Sequence, residues 1–228
     1  MKIKHKIKSI ILFLIIITQN LSAETIIFDS KNIKIEENGN MIFATKGKAN
    51  IPSRNLIIEG DKFIYDKKNL ELIVLDDVKY FDNEKKVYIE SQKIIYNEIK
   101  NTILSNSDTY ISNDDTYKVY SSNILYDRNL NKISSNKFTK ITEKNGNNFL
   151  FNKGLIFELG PEIISSKEAS VIDQNLNNYF FENSKIKLKY NEIIGKEVFL
   201  QFEDSFFGNE ENDPLLKGKS IILNNDET

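Results

Sequence analysis

The sequence predicts an all-β protein, an elongated β-jelly-roll built as a twisted two-sheet stack of repeats of about 30 residues. Three observations predict it. First, Gly60-Asp-Lys-Phe-Ile-Tyr-Asp66 is restated as Ser91-Gln-Lys-Ile-Ile-Tyr-Asn97, Ser121-Ser-Asn-Ile-Leu-Tyr-Asp127, Asn152-Lys-Gly-Leu-Ile-Phe-Glu158 and Lys185-Ile-Lys-Leu-Lys-Tyr-Asn191. The aromatic residues Tyr65, Tyr96, Tyr126, Phe157 and Tyr190 succeed one another at steps of 31, 30, 31 and 33. Second, the series Ala49, Val78, Thr109, Phe138, Ala169 and Val198 runs between them at steps of 29 or 31. Two interleaved series with one period are the mark of stacked structural units, none of which can bury its apolar face alone. Third, from Glu24 onward the chain reads as short runs rich in Ile, Val, Tyr, Phe and Thr, parted by polar clusters such as Asp82-Asn-Glu-Lys-Lys86 and Lys144-Asn-Gly-Asn-Asn148.

Residues 1–23 precede this pattern. Lys2, Lys4, Lys6 and Lys8, the apolar run Ile10 to Ile17 and the small-residue site Leu21-Ser-Ala23 have the layout of a secretory signal peptide cleaved near Ala23, with an uncleaved anchor as the rival reading. Residues 24–207 make up the repeat domain. With three prolines and nine glycines in the chain, Asn and Asp supply most turn chemistry, since they tolerate left-handed backbone and bond to it locally. A short helix competes with a strand only over Ser165 to Leu176. Residues 208–228, beginning Gly208-Asn-Glu-Glu-Asn-Asp-Pro214, read as an irregular connector.

Residues two apart in a strand share a face. The pairs Phe63/Tyr65, Ile94/Tyr96, Ile124/Tyr126, Leu155/Phe157 and Leu188/Tyr190 therefore form an inner ladder, and Ile64, Ile95, Leu125, Ile156 and Lys189 the outer column. These ten inner residues are the candidate groove. A tyrosine ladder in a β-repeat is also what plain core packing produces.

The chemistry available is narrow. The one histidine, His5, lies in the leader, and there is no cysteine and no tryptophan, so Ser-His-Asp and Cys-His catalysis and the usual zinc sets have no residues to use. Asp76-Asp77, Asp114-Asp115 and Glu210-Glu211 read as solvated turn charges without the spacing of a calcium loop. No phosphate loop is present at Lys153-Gly154 or Lys217-Gly-Lys219. Past the leader, 27 basic residues face 33 acidic ones, a poor balance for nucleic acid. No enzyme, metal or cofactor is expected.

Lys46-Gly-Lys-Ala-Asn-Ile51, Glu59-Gly-Asp-Lys-Phe-Ile-Tyr-Asp66, Leu75-Asp-Asp-Val-Lys-Tyr80 and Ser91-Gln-Lys-Ile-Ile-Tyr-Asn97 together resemble the OstA-type periplasmic domain shared by the lipopolysaccharide-transport proteins LptA, LptC and LptD. The likeness covers roughly residues 40–200. The tail Asn212-Asp-Pro-Leu-Leu-Lys-Gly-Lys-Ser220 is similar to the connector before the outer-membrane barrel in LptD-type proteins, which places the chain nearest the N-terminal part of such a protein. The family's cysteines and C-terminal barrel have no counterpart here, which leaves a split or truncated LptD and a bridge-type paralogue both open. The resemblance implies a periplasmic, outer-membrane-associated conduit that shields the acyl chains of lipopolysaccharide or a related glycolipid. Its implied partners are other jelly-roll proteins of the same kind, joined by edge-strand pairing, and an outer-membrane barrel with its lipoprotein plug. The alternative is a secreted structural or adhesive β-solenoid with no lipid cargo.

Overall fold

The computed structural model describes residues 25–144, 146–172, 178–201 and 215–224. The leader and residues 202–214, with Glu210-Glu211, lie outside them. Among the described residues eighteen strands make one antiparallel sheet. They are β1 (Ile27–Glu36), β2 (Met41–Ile51), β3 (Leu56–Asp66), β4 (Glu71–Asp82), β5 (Val87–Asn97), β6 (Thr102–Ser105), β7 (Thr109–Asn113), β8 (Tyr117–Ser121) and β9 (Ile124–Asp127). The series continues with β10 (Lys132–Ser135), β11 (Thr139–Glu143), β12 (Asn148–Phe151), β13 (Leu155–Glu158), β14 (Ile163–Ser166), β15 (Ala169–Ile172), β16 (Asn178–Lys187), β17 (Glu192–Gln201) and β18 (Leu215–Asn224).

The strands form two arms that share long strands. β5 pairs through its first half with β7 and through its second half with β6. β16 likewise pairs with β15 and then with β14. One arm thus runs through β7, β8, β11, β12 and β15, and the other through β6, β9, β10, β13 and β14. The arms turn back on each other: Phe28 of the first meets Phe63 of the second at 6.0 Å, and Tyr117 of the first meets Phe157 of the second edge-on at 5.3 Å. This is the elongated, jelly-roll-like all-β fold that the period of about 30 residues predicts, one period being two strand layers and two turns.

The crease between the arms has a chemical cause. In three of the long strands left-handed residues sit midway: Lys46 in β2, Asp76 and Asp77 in β4, Glu197 in β17. The β3–β4 and β4–β5 registers slip there, and extra residues of this kind bend a strand and tighten its twist. Asp76-Asp77 therefore lies in a bulge rather than a turn. Small residues line the bend, with Gly47 opposite Gly60, Ser166 opposite Ser184, and Ser184 opposite Gly195. A methyl group on Gly195 would collide with the Phe181 ring. Hydroxyls tie the crease along the stack. Ser91 and Ser105 lie 2.8 Å apart, Thr109 donates to Ser105 at 2.7 Å, Ser121 and Ser135 lie 3.0 Å apart, and Thr139 donates to Ser121 at 3.0 Å.

The far ends of the arms are two rows of stacked turns. In one, the carbonyls of Asn40, Leu70, Asn101, Asn131 and Glu162 accept the amides of Lys67, Glu98, Arg128, Leu159 and Leu188 at 2.9–3.1 Å. In the other, Asn55, Lys86 and Thr116 accept from Asn83, Asp114 and Lys144 at 3.0–3.2 Å. Asn55, Asn101 and Asn131 are left-handed, a conformation asparagine reaches at low cost; Leu70, Lys86 and Glu162 adopt it too. Each turn therefore offers its carbonyl to the turn one period later, and that contact fixes the stacking distance.

One expectation holds and one is corrected. Residues 165–172 belong to β14, β15 and the link between them, as the strand pattern expects over the competing helix, since Ser166 and Ala169 hold the crease and the inner face. The remainder of that stretch, residues 173–176, lies outside the described residues. The tail expected as connector carries β18, which pairs along β17 from Gln201↔Leu215 to Glu192↔Asn224. The sheet therefore extends beyond residue 207.

Candidate functional site

Nine of the ten candidate residues form one inner column on the second arm. Phe63, Tyr65, Ile94, Tyr96, Ile124, Tyr126, Leu155, Phe157 and Leu188 are all buried. Tyr190 is not among them. It lies on the 3-10 turn Leu188–Tyr190 and is 66 % exposed, because Ser184 occupies the crease in β16 and period 2 then brings Ile186 and Leu188 inward. On the first arm Ala49, Val78, Thr109, Ala169 and Val198 are buried as the second series requires, whereas Phe138 is exposed and Thr139 takes its inner place. Ile64, Ile95, Leu125 and Ile156 do lie on the outer side.

The two arms bring a set of apolar side chains into one continuous cluster from Ala44 to Val198. The inner face comes to the surface at both ends. In β1, Ile33 faces Ala44 and Ile35 faces Ile42, so both belong to the inner face, yet both are at least half exposed. In β18, Leu216 faces the buried Leu200 and is itself exposed. Among the described residues β1 pairs only with β2, and β18 only with β17.

A polar bridge spans the opening between the turn rows, and no spacing in the sequence points to it. Arg128, which opens the turn after β9, reaches across the interior. Its Nε donates to Asp82 Oδ2 at 2.6 Å, and its Nη2 to Glu84 Oε2 at 2.7 Å and to the Arg54 carbonyl at 2.8 Å. The Arg128 side chain is 7 % exposed and that of Asp82 0 %. Burial works against its charge, but Asp82 and Glu84 together hold its pKa above the ordinary value. Asp82 also accepts the amides of Glu84 and Lys85, which sets the turn from which Glu84 projects. A second crossing is the hydroxyl of Tyr117 donating to Glu162 at 3.0 Å. Tyr80 lies under the first crossing with its hydroxyl buried and unpartnered, and burial drives its pKa well above that of a free phenol. Tyr126 and Tyr117 are raised by burial as well.

Two hollows flank the crease on the outside. One, of about 930 Å³, carries Asp77, Glu90 and Asp108 against Lys79, with Tyr110, Tyr120 and Phe138 on its wall. Tyr110 and Tyr120 stack at 5.1 Å and continue through Tyr88 to Phe81. The other, of about 730 Å³, is lined by lysines and serines over β13, β14, β16 and β17. Among the described residues no three His, Cys, Asp or Glu side chains gather as a metal would require, and no helix is long and apolar enough to cross a membrane.

Fold and site together define an elongated β-jelly-roll with an apolar interior between two arms. No protein-family model matches the sequence, and no curated protein matches it.

Proposed function

We propose that the chain is a periplasmic lipid conduit of the kind found in lipopolysaccharide transport, holding acyl chains between its arms while sugars and phosphates remain in water. The observation that carries this reading is the uncovered inner face at the two end strands. Ile33 and Ile35 at one end extend the buried face at Ala44 and Ile42, and Leu216 at the other extends the face at Leu200, into the open. An exposed apolar surface that is continuous with a core marks a place where something apolar docks. Each 100 Å² of acyl surface covered there is worth about 2.5 kcal/mol, enough to retain a lipid without any chemistry at the site. The basic leader and apolar run support delivery to the periplasm. Edge strands β1 and β18 support pairing with further jelly-roll proteins.

The interior as folded is filled by its own side chains, so cargo enters at the ends or by parting the arms. That filling favours a second reading, a secreted structural or adhesive stack whose columns are only core. In-cell photocrosslinking separates the two. A photoreactive residue replaces Ile35, Tyr96 or, as an exposed apolar control outside the column, Leu130. Lipopolysaccharide adducts at positions 35 and 96 but not at 130 support the conduit. No adduct at either position, in protein that is exported and folded, leaves the structural stack.

A further inference from the structure

We propose that the lysine-lined hollow on the outer side of the crease is a binding site for a phosphate ester. Its lining holds Lys153, Lys167, Lys185 and Lys196 and no carboxylate, in a chain whose formal charge is −2. The surrounding composition does not produce this patch, since the neighbouring hollow on the same crease has three carboxylates against one lysine. Lys153 is paired with Glu168 at the rim. Lys167, Lys185 and Lys196 form no ion pair among the described residues, so three cations face one hollow without a counter-charge.

The second observation is independent of charge. Ser184, part of the lining and only 7 % exposed, has a buried Oγ with no hydrogen-bond partner. An unmade bond of this kind costs about 1–3 kcal/mol and is conspicuous where neighbouring crease hydroxyls are bonded. Ser166, opposite Ser184 on β14, also lines the hollow and bonds to the Gly154 and Glu168 carbonyls at 2.8 and 3.1 Å. A phosphate oxygen accepts from both lysine ammonium groups and serine hydroxyls, and lysine serves it as a point charge. A volume of about 730 Å³ takes a sugar phosphate or a lipid headgroup. The site lies on the outside of the fold, so the proposal does not depend on acyl chains entering the interior.

The test uses the full exported chain, isotope-labelled, with glucose 1-phosphate as the soluble probe, glucose as its uncharged control, and phosphatidic acid in phosphatidylcholine vesicles as the membrane-borne probe. The expected result is saturable shifts of the Ser166, Ser184 and Gly195 amides with glucose 1-phosphate, none with glucose, and weakening by salt. Replacing Lys185 and Lys196 by Gln lowers affinity roughly ten- to hundredfold, the weight of losing charge-assisted bonds. Lys118→Gln with Lys140→Gln, on the outer face of the other arm, leaves it unchanged. Vesicle binding with the same lysine dependence, without a response to glucose 1-phosphate, assigns the site to a lipid headgroup. Two results overturn the proposal: no response to either phosphate probe, or a response that the Lys185/Lys196 variant retains. Failure of acyl photocrosslinking at Ile35 and Tyr96 leaves these readouts untouched, so the two readings fail separately.

Discussion

Removing the Arg128 guanidinium is the sharpest perturbation of how the two arms are held. Arg128→Met keeps the aliphatic stem but leaves Asp82 buried, with 0 % of its side chain exposed and the Glu84 and Lys85 amides and the Tyr126 hydroxyl beside it. Breaking one half of a buried, hydrogen-bonded pair costs about 3–5 kcal/mol, because the remaining charge stays desolvated. At about 2–4 °C per kcal/mol for a domain of this size, the midpoint should fall by roughly 6–20 °C. Replacing both partners, Arg128→Met with Asp82→Leu, removes both charges together. It still loses the turn bonds that Asp82 makes and the Arg128 bonds to Glu84 and the Arg54 carbonyl, but leaves no buried carboxylate unpaired, so about 1–2 kcal/mol is expected. The double variant should therefore be more stable than Arg128→Met alone, with a strongly non-additive cycle. Urea unfolding followed by far-UV circular dichroism and tyrosine fluorescence measures this, as there is no tryptophan to report. A cost below about 1 kcal/mol for Arg128→Met, or a double variant that costs the sum of the singles, refutes the assigned bridge.

Other perturbations act on neighbouring contacts. Tyr80→Phe removes a buried hydroxyl with no partner and should be neutral or stabilise by up to about 1–2 kcal/mol, read from the urea midpoint. Burial raises the folded-state pKa of Tyr80, Tyr117 and Tyr126 above the unfolded value of about 10. Their contribution is therefore complete below about pH 10 and is lost as pH climbs through the folded values, by about 1.4 kcal/mol per pH unit for each tyrosine. Alkaline titration of stability should show this slope, and Tyr80→Phe should lessen it. Phe157→Ala should cost about 3–5 kcal/mol in chemical denaturation, whereas Tyr190→Ala should stay within about 0.5 kcal/mol. Gly195→Ala drives a methyl into the Phe181 ring and should cost about 1–3 kcal/mol, with Phe181→Leu in the same chain restoring part of it.

The inner columns were legible in the sequence because strand geometry is rigid: Phe63/Tyr65, Ile94/Tyr96 and Ile124/Tyr126 fall where period 2 and a repeat of about 30 residues place them. The errors sit where a likeness of residue type departs from the regular step. The last aromatic step, 33 rather than 30 or 31, matched Tyr190 to the column by likeness of motif, although a step of 31 from Phe157 arrives at Leu188, the residue that is buried. Phe138 misses the inner position by one residue, since Thr109, Thr139 and Ala169 carry it at even steps of 30 and Phe138 is the residue before. The crease left a trace that spacing passes over, small or hydroxyl residues such as Ser91, Ser105, Ser121 and Ser135 recurring between the apolar pairs. The Arg128–Asp82 bridge left none. It joins residues 46 apart, from one turn row to the other, and no local pattern encodes that crossing. The lysine hollow is equally non-local, gathered from several strands whose basic residues look ordinary singly.

The crossings between the two turn rows bear on cooperativity. In a stack where each layer bonds only to its neighbours, stability is close to a sum of local terms, and the ends can melt while the middle persists. Arg128 contacts residues 46 and 74 positions earlier in the chain, beyond the adjacent layer. Tyr117 reaches Glu162, 45 positions on. Such ties make the layers between them open together or not at all. Residues from about Arg54 to Glu162 should then unfold as one block, with the strands outside it free to exchange with solvent first.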